Sequence, residues 1–246
     1  MRLKSVGIVG YGAFGALVHE LLKRFAPTVH VKVFSSRKVP DHTTFFTLAE
    51  TVACDAVILA VPIHAFEAML TKIKPLLAPQ TVVVDVATVK EYTGKLLKKH
   101  LKGRRYLLTH PMWGPESYQK KGGNVRGLRI VMTGGTISRR EYRTLVAALK
   151  GVGFDIVEMT VKQHDKHLAE TLFLTHFLGQ AITRARFDRT EIDTVSFGFL
   201  MDAVESVRRD KTLFRDVFRF VPQCRAVLKR FDAAEEVVLK EISKMR

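Results

Sequence analysis

The sequence predicts an α/β fold: a doubly wound parallel sheet followed by an all-α helical domain. Three observations carry this. The first half alternates short apolar runs with segments of helical spacing, the pattern of a parallel sheet covered on both faces. Gly10-Tyr11-Gly12-Ala13-Phe14-Gly15 follows the first apolar run directly and opens a helix, which makes the sheet Rossmann-type. From about Val161 onward only helical spacing remains. The expected domains are therefore 1–160, a nucleotide-binding sheet domain, and 161–246, a helical domain.

The elements follow in order. Ser5 to Val9 reads as a strand, and Ala13 to Phe25 as a helix with Leu17, Leu21 and Leu22 on its apolar face. Val29 to Phe34 alternates like a strand. Ala56 to Val61 is a continuous apolar strand, and His64 to Leu77 a helix despite Pro75. Thr81 to Val86 is a strand, followed by a helix to about His100 and a strand at Tyr106 to Leu108. His110 to Gly127 breaks the rhythm with two Pro and four Gly, and a loop this long in a compact domain is often functional. Leu128 to Thr133 resumes as a strand. Ser138 with Glu141 forms a capping box for a helix to about Gly151, and Phe154 to Val157 closes the sheet. Gln163 to Arg186 reads as one long helix, followed by helices at Glu191 to Arg209, Leu213 to Phe220 and Pro222 to Lys244, with Pro222 in a first turn.

Composition narrows the function classes. The net charge is +16, from 40 Lys and Arg against 24 Asp and Glu, which suggests anionic partners. The basic residues are dispersed, with no basic tail and no aromatic-interleaved motif, so nucleic acid is not expected as the partner. No apolar run approaches the ~18 residues of a membrane span, so no membrane partner is expected. Met1-Arg2-Leu3-Lys4 leads straight into the first strand pattern without a signal-peptide core, and the expectation is a soluble, cytoplasmic protein. Cys54 and Cys224 are read as separate buried thiols, with no disulfide and no metal spacing.

The cofactor is expected to be NADP. In the glycine motif, Gly10 permits the tight turn, Gly12 lets the backbone approach a pyrophosphate, and Gly15 lets helix and strand pack closely. Tyr11, Ala13 and Phe14 complete the loop, whose helix N-terminus offers N–H donors to phosphate. An NAD site would place Asp or Glu about twenty residues on. Here Ser35, Ser36 and Arg37 stand at the end of the second strand, followed by Lys38. The hydroxyls and the guanidinium can hold a 2′-phosphate, and no carboxylate repels it. Val61 and Pro62, just after the next strand, are expected to line the nicotinamide end, while His64 reads as a helix-start residue.

Four segments then define a family. His110-Pro111-Met112-Trp113-Gly114-Pro115-Glu116-Ser117 resembles the HP-M-F/W-GPES motif of prephenate and arogenate dehydrogenases. Val84-Asp85-Val86-Ala87-Thr88-Val89-Lys90 resembles that family's DV-x-S-VK segment. His164-Asp165-Lys166-His167 and Thr175-His176-Phe177-Leu178-Gly179 resemble its HD-x-H and TH-x-x-G helix. The elements fall in the family's order along nearly the whole chain, and the resemblance leans to the plant-type arogenate branch.

The resemblance implies an oxidative decarboxylation of a cyclohexadienol, prephenate or arogenate, in tyrosine biosynthesis. His110 would take the proton of the ring 4-hydroxyl, with a pKa near the working pH, and Thr88 would orient it from the family's serine position. Glu116 matches an acidic residue gating the pocket, and His176 a histidine facing the substrate. Many prephenate-type members hold the ring carboxylate with an Arg at the position of Glu205 here. Another cation must serve, with Arg126, Lys120, Arg208 and Arg209 as candidates. The acidic residue that plant-type members tend to carry after the strand following the loop is here about Thr133. His164 and His167 are read as helix-surface or domain-interface residues, and no metal site is expected. Of the aromatic residues Phe173, Phe177, Phe197, Phe199, Phe214, Phe218, Phe220 and Phe231, some are read as core and some as a two-fold homodimer interface.

Two rival readings remain. A β-hydroxyacid dehydrogenase would need a catalytic Lys with a partner Asn on the first helix of the helical domain. Lys162 and Lys166 lie there, but no Asn does. That reading, like a pyrroline-carboxylate reductase, leaves the His110 loop unexplained. A non-catalytic NADP-binding redox sensor would need no His110–Thr88 pair.

Overall fold

The computed structural model describes residues 3–245, so Met1 and Arg2, read above as leading into the first strand, lie outside the described residues. The chain divides into two compact units, Met1–His164 and Asp165–Arg246.

The first unit is built on one seven-stranded sheet in the order β2-β1-β3-β4-β5-β6-β7. The strands are β1 (Ser5–Val9), β2 (His30–Phe34), β3 (Ala56–Leu59), β4 (Val82–Asp85), β5 (Arg105–Pro111), β6 (Arg129–Gly135) and β7 (Asp155–Glu158). Every expected strand is present. Ile8, Val9, Val33, Val57, Leu59 and Leu107 are buried, which is why these runs read as apolar rather than alternating.

The sheet is parallel, as expected, at every join but one, where β5 and β6 run antiparallel. The segment after β5 turns back at the same end of the sheet, and Met112 N–H already donates to Arg129 C=O at 2.9 Å. No crossover carries the chain to the opposite edge, so β6 must run back along β5. The segment expected as open loop holds a short helix α5 (Pro115–Lys120), with Pro115 in its first turn, where its missing N–H costs nothing.

The other helices of this unit are α1 (Ala13–Phe25), α2 (Leu48–Val52), α3 (Phe66–Ile73), α4 (Glu91–His100) and α6 (Arg139–Val152). The expected helix at His64 to Leu77 is a 3₁₀–α–3₁₀ succession, with Pro75 inside the last 3₁₀ turn. The capping box of α6 is present: Ser138 Oγ accepts from Glu141 N–H at 3.3 Å, and Ser138 N–H donates to Glu141 Oε2 at 3.1 Å. Helix α7 (Val161–Leu168) begins in this unit.

Beyond α7, a π-helical turn (Ala169–Phe173) leads into α8 (Leu174–Ala185), so the single long helix of the expectation is interrupted. Then follow α9 (Val195–Val207), α10 (Lys211–Phe220) and α11 (Gln223–Ser243). Helix α9 starts later than expected because Thr194 caps it, and Pro222 is the N-cap of α11 rather than a residue of its first turn. Phe173 stacks on Phe214 and Phe218 at centroid distances of 5.5 and 5.8 Å and anchors this core. Cys54 and Cys224 are buried free thiols, one in each unit.

Candidate active site

The carboxyl ends of the parallel strands gather the expected residues along one edge of the sheet. The register pairs Val9 with Phe34 and Leu59, Leu59 with Asp85, and Asp85 with Leu108. Gly10, Ser35, Val61 and Thr88 therefore leave the sheet on the same side, and His110 lies near the end of β5 on that side. The order reverses between β1 and β3, and the crevice outside such a reversal is where open α/β sheets bind ligands.

The glycine loop fits a dinucleotide pyrophosphate by its shape. Gly10 has φ +107°, and a Cβ there would lie 2.3 Å from Ala60 O. A Cβ on Gly15 would lie 2.1 Å from Gly10 O, so no side chain is tolerated where α1 crosses β1. A Cβ on Gly12 would meet nothing within 4 Å. Two glycines thus close the turn, and the third leaves open space at the first turn of α1, where backbone N–H groups await an anion. Tyr11 packs edge-on against Phe45 at 5.0 Å, and Phe14 against Trp113 at 5.7 Å. Ala13 is exposed on the first turn.

At the end of β2, Ser36 and Arg37 are exposed, and Ser35 Oγ accepts from Arg37 N–H at 3.3 Å. Among the described residues Arg37 forms no ion pair, which leaves its guanidinium available. Val61 is half-buried, and Pro62, at the N-cap of the 3₁₀ turn that includes His64, is exposed.

His110 is buried, and its Nδ1 lies 2.9 Å from His164 Nε2. Burial chiefly, with His164 and the Lys90 cation adding to it, holds its pKa well below the ordinary imidazole range. This differs from the expectation of a value near the working pH, because burial disfavours the imidazolium. Its Nε2 has no hydrogen-bond partner among the described residues and is not among the fully occluded orphan atoms. The orienting partner also differs from expectation. Thr88 is half-buried and its hydroxyl makes no bond to His110, whose Nδ1 is held by His164 instead. His164, read as surface or interface, is 3% exposed. The helical spacing could not reveal this, because the bond joins residues 54 apart in sequence.

Beneath His110 lies a buried ionic network that the sequence reading quoted without a role. Lys90 Nζ donates to Asp85 Oδ2 at 2.5 Å and to the Thr109 carbonyl at 2.6 Å. Asp85 also accepts from Ala87 N–H at 2.7 Å and Thr93 Oγ1 at 2.6 Å. Thr109 Oγ1 returns a bond to the Asp85 carbonyl at 2.8 Å. Both ionic side chains are fully buried, and the network ties the end of β4 to the residue preceding His110. One signal was available: an Asp ending the run Val82-Val83-Val84 must be buried, and a buried carboxylate requires a cation.

The remaining residues are scattered. Glu116 is exposed on α5 and pairs with Lys120 at 2.9 Å. Arg126 is exposed and lies against Gly153 near the start of β7. Thr133 is half-buried on β6.

In the second unit, His176 is buried, with Nδ1 2.9 Å from the Leu172 carbonyl. A carbonyl only accepts, so Nδ1 carries a proton, and Nε2 lies 3.7 Å from Asp210 Oδ2. Glu205 pairs with Arg189 at 2.8 Å, while Arg208, Arg209 and His167 are exposed. Among the described residues no group of three or more His, Cys, Asp or Glu could hold a metal, and no helix is long and apolar enough to cross a membrane.

Comparison with known proteins adds three findings. Residues 36–128 match the family model described as prephenate dehydrogenase, nucleotide-binding domain. Two Arabidopsis thaliana proteins, arogenate dehydrogenase 1 and 2, both chloroplastic, are each 31% identical to this chain. The alignments cover 96% of this chain and 39% of the first relative, and 97% of this chain and 70% of the second. Among solved structures, prephenate dehydrogenase from Aquifex aeolicus in complex with hydroxyphenyl propionate and NAD+ superposes with a TM-score of 0.75 at 17% identity. That match covers 99% of this chain and 93% of the other.

Proposed function

Because the chain belongs to the prephenate/arogenate dehydrogenase family, we propose that it catalyses the NADP-dependent oxidative decarboxylation of prephenate or arogenate. The observation that carries the reading is His110: a buried imidazole at the carboxyl end of β5 whose Nε2 has no hydrogen-bond partner among the described residues, on the same sheet edge as the Gly10–Gly15 cradle. Gly10, Tyr11, Gly12, Ala13, Phe14, Gly15, Val61 and Pro62 would hold the dinucleotide, which supplies a hydride acceptor when bound.

The remaining steps belong to the chain. His110 Nε2 accepts the proton of the 4-hydroxyl as C4 gives up its hydride, and carbon dioxide leaves C1 as the ring becomes aromatic. Thr88 lies at the neighbouring strand end, where its hydroxyl can meet substrate. Glu116 and His176 serve substrate gating and contact in this reading, and Arg126 is the candidate cation for a carboxylate. The Aquifex protein is described with NAD+. Here Ser35, Ser36 and Arg37, which forms no ion pair among the described residues, favour a 2′-phosphate, and the segment 35–38 carries no carboxylate.

The test is NADPH formation, followed by absorbance, with prephenate and arogenate offered separately. Turnover of either supports the family activity and fixes the substrate. Silence with both, in protein that binds NADP, overturns it. Arg37→Ala should raise the KM for NADP about tenfold, the loss of about one charge-assisted phosphate contact, and leave that for NAD unchanged.

The second unit is proposed as a homodimer and substrate domain. Ile192, Val195, Phe199, Val237, Val238, Leu239 and Ile242 are exposed apolar residues on it, and a second copy is the covering that symmetry offers. A monomeric mass in solution would refute this. The cytoplasm is the proposed location, and fractionation distinguishes it from the chloroplast named for the plant relatives.

A further inference from the structure

We propose that His164 is the positioning residue of the His110 base: its Nε2 accepts the His110 Nδ1 proton, which leaves the His110 Nε2 lone pair facing the substrate hydroxyl. The inference rests on the reading of His110 as the base and adds the group that makes it one.

A ring N–H of one histidine donates to the bare ring nitrogen of the other, so the 2.9 Å contact allows two arrangements. In one, His110 donates from Nδ1 and its Nε2 is an acceptor. In the other, His164 donates and His110 Nε2 carries a proton, which leaves it unable to take another. His110 Nε2 faces no acceptor among the described residues. Only the first arrangement leaves Nε2 able to take the substrate proton, so it is the one the base reading requires. The bond on one ring nitrogen thus decides the protonation of the other.

The placement of His164 is itself built into the chain. Thr160 caps α7 with a box closed by glutamine: Gln163 N–H donates to Thr160 Oγ1 at 3.2 Å, and Thr160 N–H to Gln163 Oε1 at 3.0 Å. His164 follows directly, and its N–H closes the first helical bond onto Thr160 C=O at 3.0 Å. The ring stands at 71° to that of His110, with centroids 5.1 Å apart. Among the described residues no carboxylate forms a hydrogen bond or ion pair with His110. The charged and titratable groups that act on it are His164 and Lys90, and Lys90 opposes the imidazolium.

The experiment uses the full chain labelled with ¹⁵N at histidine, read by NMR, alongside steady-state turnover. Wild type should show His110 protonated on Nδ1. His164→Phe should shift it to the Nε2-protonated form that imidazole prefers in water. That variant should lose about 10- to 100-fold in kcat, part of the about 10²–10⁴ a positioned base contributes, with the KM for NADP unchanged as the control for folding. His164→Gln restores an acceptor oxygen and should recover both the tautomer and most of the turnover. Wild-type His110 protonated on Nε2, or a His164→Phe variant that keeps the tautomer and loses less than about twofold in kcat, would overturn the proposal. A wild-type chain inactive on both cyclohexadienols would overturn the dehydrogenase reading instead, while the tautomer still decides the pairing.

Discussion

Replacing Lys90 with Met tests the buried network directly. Methionine matches the length of the lysine stem, so packing is kept and the charge is lost. Lys90 and Asp85 are both fully buried, and Lys90 holds the Asp85 carboxylate and the Thr109 carbonyl together. Removing one partner of a buried pair costs about 3–5 kcal/mol, because the other charge is left uncompensated. The orphaned Thr109 carbonyl adds about 1 kcal/mol. At about 2–4 °C per kcal/mol for a chain of this size, the loss corresponds to roughly 8–24 °C in Tm. The assay is urea unfolding followed by the fluorescence of Trp113, the single tryptophan, which stacks on Phe154 at 5.4 Å within the first unit. The double variant Asp85→Asn, Lys90→Met removes the stranded charge and should recover at least about 2 kcal/mol. A Lys90→Met loss under about 1 kcal/mol, or a double variant no better than the single, would refute the reasoning.

Three further outcomes are expected. His110→Asn should lower kcat by about 10²–10⁴ while NADP still binds, and near-normal turnover would remove His110 from its role. Folded His110 titrates below an unfolded imidazole, so the unfolded chain binds more protons as pH falls below about 6.5. Its contribution to stability is therefore complete above that pH and declines with acid, and the drop in Tm between pH 7.5 and pH 5.5 should be smaller in His110→Asn than in wild type. Gly12→Ala should leave Tm unchanged, since its Cβ meets nothing within 4 Å, yet raise the KM for NADP at least about tenfold by filling the phosphate space; a variant with normal NADP affinity would move the phosphates elsewhere.

The sheet was legible because buried parallel strands are continuous apolar runs and because Gly10–Gly15 links the first of them to a helix. Ser138 and Glu141 gave the start of α6 for the same reason, since a capping box is local chemistry. The reversal of β6 was not legible: an apolar run has no direction, and only the turn at Met112 sets it. Helix α5 has six residues, too few for a period. At the site, His110 and Thr88 came from local motifs, but the His110–His164 bond is a meeting of distant segments. Lys90 was hidden in another way. Lysine is almost never fully buried, and only the carboxylate of Asp85, five residues earlier, makes it so.

The π turn at Ala169–Phe173 makes chain length as informative as residue identity. A π turn houses a surplus residue in an otherwise α-helical path, so deleting one residue there would let the turn close as α-helix and swing all that follows by about 100°. Gly179, where a Cβ would stand 2.4 Å from Val207 Cγ2, and Gln180, which donates to Arg208 C=O at 3.0 Å, would both leave α9. A one-codon deletion in this stretch should therefore be tolerated far less than any conservative substitution in it, and related chains aligned across it should keep their spacing even where their side chains diverge.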